Sequence, residues 1–307
     1  MTRLAYCSVV TTIVIPAHNE SLVLGRLLSR IVVPDAADSP TVLVVANGCT
    51  DRTADIARSF GNAVRVLSIP VASKRLALAA ADRAVTSFPR LYVDADVEIG
   101  RADIAALTDA LRLPGTLAVA PERHLELAGC RWPVRWYLDI WARLPAVRDG
   151  LFGRGAFAVS AAGHRRIADL PLLMADDLAV ALAFGPGEAR VVPEATVIVH
   201  PPRTLGVLIR RRIRVATGVT ELERTAGAPP STARTTRADL AAIVRGEPAL
   251  AARLALLPKL ALFLLVAAAA RTGSRWFVAR GDFRTWQRDD SSRPPGPGGA
   301  AVPGATA

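Results

Sequence analysis

The chain has 307 residues, enough for one large domain or two small ones. Half of it is apolar, and 38 Lys and Arg against 27 Asp and Glu leave a formal charge of +11, a balance that suits an anionic partner. The arginines, which far outnumber the lysines, are not interleaved with aromatics, so no nucleic acid partner is expected; acidic lipid or a phosphorylated substrate remains. Cys7, Cys49 and Cys130 are too scattered for a disulfide framework or a metal pair, and fit a reducing cytoplasm.

In chain order, Val9–Ile15 is a β-branched apolar run followed at once by Pro16-Ala-His-Asn-Glu20, which predicts a strand and a turn rather than a secretory leader. Short buried strands are predicted again at Thr41–Val45, Val64–Ile69, Leu91–Val93 and Leu117–Ala120. Between them Ser21–Arg30, Asp51–Phe60, Ser73–Ser87 and Ala102–Leu111 carry apolar residues at helical spacing, with Thr50 and Ser73 as N-caps. Such alternation predicts an α/β fold, a mostly parallel Rossmann-like sheet flanked by helices. The first turn lacks Gly-x-Gly-x-x-Gly, which argues against a nicotinamide enzyme.

Gly129–Gly155 is rich in Trp and Arg. Within it Trp132, Trp136, Tyr137 and Trp141 recur at helical spacing, as a core face, an acceptor platform or a membrane edge. Ala156–Ser160 reads as a strand leading into a helix over Ala161–Ile167, and two further β-like runs end at His200. Arg203–Arg224 reads as a basic helix, Pro229–Arg237 as a polar linker and Leu254–Ala270 as a strongly apolar helix interrupted at Pro258-Lys259. That run is shorter than the ~20 apolar residues of a membrane span. Its flanking Arg253, Arg271, Arg275 and Arg280 favour a helix lying on an anionic membrane surface, at the cytoplasmic face. Beyond Asp289 the composition predicts disorder. The expected division is an α/β domain over 1–202, in two halves meeting at 98/99, a membrane-associated helical region over 203–288, and a tail over 289–307.

Four places carry chemistry. Asp94-Ala-Asp96 lies just past a strand end, where open α/β sheets bind ligands, and its carboxylates suit Mg²⁺ or Mn²⁺ shared with phosphates. Lys74 and Arg75 open a helix, so fixed cations meet a helix N-terminus. Asp176 and Asp177 open another, as first-turn acids or as a proton acceptor. Arg211 and Arg214 lie on the basic helix. His200 follows a strand and could contact metal or phosphate, and His18 lies beside the first turn.

In order and spacing these stretches resemble the family 2 glycosyltransferases. The matching segments are Val14-Ile-Pro-Ala-His-Asn-Glu20, Val45-Ala-Asn-Gly-Cys-Thr-Asp51, Val93-Asp-Ala-Asp96, Gly153-Arg-Gly-Ala-Phe-Ala-Val-Ser160, Asp176-Asp177-Leu178 and Arg211-Arg-Ile-Arg214. The resemblance spans Thr12 to Gly218 and implies a GT-A fold with a C-terminal helical extension. It implies a nucleotide-diphosphate sugar donor, inversion at the anomeric carbon and a divalent cation, Mg²⁺ or Mn²⁺. Asp96, and less directly Asp94, would hold the metal. Asp177 would be the base, with Asp176 beside it. Pro16, Ala17, Glu20, Asn47 and Asp51 would border the nucleotide, Lys74 and Arg75 the diphosphate, and Arg211 and Arg214 the diphosphate or acceptor.

Two departures qualify the match. Ala46-Asn47 replaces a turn that usually offers an Asp to the base, leaving the Asn47 carbonyl or Asp51 as substitutes. Val215 stands where processive members carry Trp, which argues for a single transfer rather than polymer synthesis. The acceptor is expected to be a hydroxyl or phosphate, with a lipid carrier as one option. The rival readings are a nucleotidyltransferase of similar sheet topology and a non-catalytic membrane-associated scaffold.

Overall fold

The computed structural model describes residues 11–33, 40–168, 170, 176–226 and 235–280. The elements run β1 (Thr12–Ala17), α1 (Leu24–Ile31), β2 (Thr41–Asn47), α2 (Thr53–Arg58), β3 (Val64–Ile69), α3 (Lys74–Ala84), β4 (Arg90–Val93), β5 (Val97–Glu98) and α4 (Arg101–Ala110). They continue with β6 (Ala118–Leu125), α5 (Trp132–Arg143), α6 (Pro145–Asp149), β7 (Ala156–Val159), α7 (Ala161–Ala168) and α8 (Asp176–Leu182). β8 (Ala189–Val199), α9 (Leu205–Ala226), α10 (Arg237–Arg245) and α11 (Leu250–Ala279) complete the order.

One eight-stranded sheet organises them, in the order β3-β2-β1-β4-β7-β6-β8-β5. The first four strands are parallel to one another. β7 then runs antiparallel to both β4 and β6, so the sheet is mixed beyond β4. Side chains alternate between its faces, as the two-residue strand period requires. Ile13, Ile15, Val42 and Val44 pack with α1, α2 and α4 on one side. Val14, Leu43 and Val45 pack with Ala77 and Ala81 of α3 on the other. On α1 the four buried residues, Leu24, Leu27, Leu28 and Ile31, fall on one helical face. Each such burial stabilises by about 1.5–3 kcal/mol.

Several boundaries differ from expectation. β1 extends to Ala17, and residues 9 and 10 lie outside the described ones. α2 shrinks to six residues, and the side chain nearest to a cap is Asp51, which accepts from the Thr53 amide; Thr50 does not cap. Ser73 does cap α3, accepting from the Leu76 amide. The two β-like runs before His200 are one strand, β8, with a break in register opposite Pro121/Glu122. Most of the expected linker and the whole of 289–307 lie outside the described residues. Arg237, taken as the linker's end, instead opens α10, which is capped reciprocally by Thr236 and Asp239.

The apolar C-terminal run is corrected most. Pro258 and Lys259 do not interrupt it: α11 is continuous over 30 residues, long and apolar enough to cross a membrane by length and composition alone. One face is packed. Phe263 stacks on Tyr137 of α5, and Lys259 pairs with Asp139 at 2.6 Å. Leu256 and Val266 join Val134, Leu138 and Ile140 in a third core cluster that bridges the boundary at 202/203. The other face leaves Leu250, Leu254, Leu257, Leu264 and Leu265 exposed.

Candidate active site

The turns after β1 and β2 are stitched together by their own side chains. Asn19 adopts a left-handed conformation, φ 54°, and its Oδ1 accepts from the Thr50 amide at 2.8 Å. The Glu20 amide donates to Thr53 Oγ1 and the Ser21 amide to Asp51 Oδ2. His18 Nδ1 lies 2.7 Å from the Asn47 carbonyl oxygen. Gly48 has φ +55° and faces Ala72 so closely that a Cβ would lie 2.5 Å from its amide nitrogen. This close approach brings the end of β2 onto the start of α3.

Asn47 is 2% exposed and fully occupied there. Its Nδ2 donates to the Ala17 carbonyl at 2.8 Å and its Oδ1 accepts from the Ser73 amide at 3.1 Å. With these bonds that side chain has a structural role, fastening β1, β2 and α3. Ala17 is wholly buried, with its carbonyl engaged by Asn47, so its side chain reaches no ligand. Asp51 holds the turn before α2. Burial raises its pKa, but hydrogen bonds from Thr53 and Ser21 outweigh this and hold it below the ordinary carboxylate value. Glu20 is buried as well.

Beyond these turns a pocket opens at the ends of β1, β4 and β7. Pro16, Lys74, Tyr92, Asp94, Arg154, Gly155 and Val180 line it, among others. Lys74 Nζ lies 2.9 Å from Asp94 Oδ1, and the Asp94 amide donates to the Gly155 carbonyl at 2.7 Å. Gly155 has φ +69° and a Cβ there would fall 2.4 Å from Val97, so glycine alone lets the two strand ends close. Asp94 and Asp96 stay partly exposed while Ala95 between them is buried. Arg75 is on the solvent side of α3.

Val180 of α8 forms part of this wall, and residue 177 lies one helical turn before it. The backbone thus brings α8 to the pocket, while the side chains of Asp176 and Asp177 are outside what the structure describes.

Residues 12–149 match the profile of Glycosyl transferase family 2. That segment is a family 2 glycosyltransferase domain. It carries β1 to α6 with the double turn, Lys74 and both aspartates of Asp94-Ala-Asp96, and stops short of the Gly-rich turn and α8. The fold is shared with mannosyltransferase PcManGT from Pyrobaculum calidifontis, solved with GDP-Man and Mn²⁺, at 20% identity and a TM-score of 0.61 over 87% of each chain. It is shared with glucosyl-3-phosphoglycerate synthase from Mycobacterium tuberculosis, at 22% identity and 0.51 over 72% of this chain and 81% of that one. Mannosyl-3-phosphoglycerate synthase from Rubrobacter xylanophilus gives 18%, 0.50, and 74% and 78% coverage. No curated protein sequence matches.

Around this glycosyltransferase domain the structure adds residues that the motifs only touched. Val97 pairs with Val199, so Asp96 and His200, one step beyond, stand at the same end of the β5–β8 pair. His200 Nε2 meets Glu98 Oε1 at 2.7 Å. Glu98 is itself buried and held by Arg26 at 3.1 Å and Arg30 at 2.6 Å. A carboxylate fixed on one ring nitrogen is the usual way a histidine is oriented to present the other. Trp132, Trp136, Tyr137 and Trp141 do share one helix, α5, but part company: Tyr137 is core, Trp132 is 62% exposed, and Trp141 lies under Arg123. Arg211 and Arg214 are both half-buried on α9.

Proposed function

We propose that this protein transfers a single sugar from a nucleotide-diphosphate sugar to a hydroxyl or phosphate acceptor, with inversion at the anomeric carbon. The observation that carries the reading is the pocket where Lys74, Asp94, the Gly155 turn and α8 meet, at the strand ends of a family 2 glycosyltransferase domain. Asp96, and less directly Asp94, would hold Mg²⁺ or Mn²⁺. Two partly exposed carboxylates are hard oxygen donors, which suit a divalent cation shared with phosphate oxygens. When bound, the cation supplies neutralisation of the diphosphate charge.

The chain's own residues do the rest. Lys74, at the N-terminus of α3, sets a fixed cation and the helix dipole against the leaving diphosphate. Pro16 and Tyr92 wall the pocket. On the opposite side Asp177 takes the proton of the acceptor oxygen as that oxygen attacks the face of the anomeric carbon away from the diphosphate. Asp176 supports it. The nucleotide lies against the turns after β1 and β2, and the base is read there by main chain, since Asn47 is occupied.

The exposed leucine face of α11, flanked by Arg253, Arg271 and Arg275, supports attachment to an anionic membrane surface at the cytoplasmic side. A lipid-linked acceptor follows naturally from that placement. On this reading 1–202 is the catalytic domain, with its nucleotide half ending at 98, and 203–288 the membrane-facing part.

The test is titration of nucleoside diphosphates into the full chain, with and without Mn²⁺. Wild type binds in a Mn²⁺-dependent way, and Asp96→Ala loses that dependence without loss of melting temperature. Metal-dependent binding that survives in Asp96→Ala removes Asp96 from the site.

A further inference from the structure

Arg123 follows the parallel-to-antiparallel switch of the sheet and belongs to no motif of the donor site. β6 pairs with β7 through Ala118↔Val159 and Val119↔Ala158, and continuing that register brings Arg123 level with Arg154. Two side-chain hydrogen bonds tie the same stretches together. Arg154 Nη1 donates to the Pro121 carbonyl at 3.0 Å, and Arg123 Nη1 to the Gly153 carbonyl at 3.2 Å. By the same reasoning Val93↔Ala156 brings Asp94 level with Gly155. Asp94, the Gly-rich turn and Arg123 therefore stand at one edge of three neighbouring strands. Two strand spacings, roughly 10 Å, separate the strand of Asp94 from that of Arg123.

The charge around Arg123 is one-sided. Its guanidinium carbon sits 4.4 Å from the centre of the Trp141 ring, which seats the side chain without neutralising it. Burial, and then the cations Arg154 and Arg211, lower its pKa to about 10. Arg154 is different: it is 3% exposed, and donates to the carbonyls of Gly150, Pro121, Val147 and Arg148. It is a structural clamp with little left to offer a ligand. Glu122 and Asp149 partly offset the burial of Arg154. Among the described residues no carboxylate pairs with Arg123 or Arg211. A half-buried guanidinium beside two more is unfavourable unless an anion joins it, and the planar forks of arginine match a phosphate.

We infer that Arg123 and Arg211, reaching from β6 and α9, form a phosphate-binding subsite for the acceptor, separate from the donor diphosphate held at Lys74. Its meaning as an acceptor subsite rests on the glycosyltransferase reading; its capacity for phosphate does not. Trp141 fixes the plane of Arg123, and Arg211 closes on the same anion from the helix side. The acceptor's reacting oxygen then lies toward Asp94 and α8, on the far side of the Gly-rich turn.

The experiment is ligand-observed ³¹P NMR on the full chain with inorganic phosphate and glycerol 3-phosphate, without nucleotide or metal. Arg123→Gln and Arg211→Gln each weaken phosphate binding roughly tenfold, the scale of one charge-assisted hydrogen bond. Lys74→Gln leaves it unchanged but weakens nucleoside diphosphate binding. Wild-type phosphate affinity in both arginine variants overturns the subsite. Should Arg123→Gln melt early through its lost seat on Trp141, Arg211→Gln decides alone. Loss of Mn²⁺-dependent nucleoside diphosphate binding in wild type, with the phosphate result intact, would sink the transferase reading and leave the subsite standing.

Two arms separate the sources of the phosphate. Vesicles carrying phosphatidic acid, compared with phosphatidylglycerol vesicles matched for charge, should bind wild type more tightly than Arg123→Gln if the acceptor phosphate is a lipid's. If glycerol 3-phosphate binds with the arginine dependence and the vesicles show none, the acceptor is water-soluble. Both results uphold the subsite, and they assign it differently.

Discussion

Lys74 and Asp94 meet across the pocket, Nζ to Oδ1 at 2.9 Å, so the first residue of α3 neutralises a carboxylate at the end of β4. Only one other lysine, Lys259, occurs in a chain whose remaining fixed cations are arginines, and a compact ammonium suits a site it shares with a metal. Lys74→Ala should move two affinities in opposite directions. Binding of Mn²⁺ alone should strengthen, because Asp94 loses its internal cation. Binding of a nucleoside diphosphate with Mn²⁺ should weaken roughly tenfold, because a phosphate partner is gone. Calorimetry with each ligand checks both signs, and parallel changes would place Lys74 outside the diphosphate site.

Asp177→Asn should leave nucleoside diphosphate binding intact and lower turnover by ~10²-fold or more, the usual loss for a general base. Asp176→Asn should cost less, since the family resemblance aligns Asp177 with the base and Asp176 with the residue before it. A slower Asp176 variant would shift the base by one residue.

Asn47→Ala should lower stability by about 1–3 kcal/mol, the cost of leaving a buried amide and carbonyl without partners. The groups stranded are the Ser73 amide and the Ala17 carbonyl. The ranking of uridine, guanosine and other nucleoside diphosphates should not change. Thermal melts and competition binding measure the two independently; a changed ranking at unchanged stability would return Asn47 to base recognition.

His164 gives a pH signature away from the pocket. Burial, and then Arg90 beside it, hold its pKa below the ordinary 6.5, with Asp82 only partly opposing them. The neutral ring is favoured in the folded state. Its contribution is therefore complete above the unfolded value of 6.5 and is lost as pH falls below it toward the lower folded pKa. His164→Gln should lose less stability than wild type between pH 7 and 5, read by denaturant midpoints. Equal slopes would mean that the ring titrates normally.

Leu254, Leu257 and Leu265 are 56%, 52% and 68% exposed on α11. Replacing all three by Ser should abolish sedimentation with anionic vesicles. The melting temperature should hold, because these side chains contribute little to the core. Vesicle binding that persists in the triple variant would move the attachment elsewhere.

The parallel half of the sheet was legible because its strands are short apolar runs with both faces buried, and the helices between them carry clear periodicity. β8 was read as two runs because Pro193 interrupts it. In the sheet, Pro193, Glu194 and Ala195 fall within the register break, between Pro121↔Val192 and Glu122↔Thr196, where a strand can tolerate proline. α10 hid behind polar residues whose signal was the capping pair Thr236 and Asp239. Within the site, Lys74, Asp94 and Pro16 line one pocket. The post of Asn47 was not legible, since a carbonyl that can read a base can equally accept from a neighbouring amide, as it does from Ser73. Arg123 had no signal at all, because its meaning arises from Arg154 and Arg211, distant in sequence.

One helix serves two masters in this architecture. α5 seats Arg123 on Trp141, and with Tyr137 and Asp139 it grips Phe263 and Lys259 of α11. The leucine-bearing helix is thus a structural rib of the enzyme, not a detachable anchor. Cutting the chain ahead of Leu250 would strip the cover from Val134, Tyr137, Leu138 and Ile140, turning one sticky surface into another beside the acceptor arginines. Where vesicle binding runs through those leucines, it has to be removed by repainting the outer face of that rib, residue by residue, with its inner face left in place.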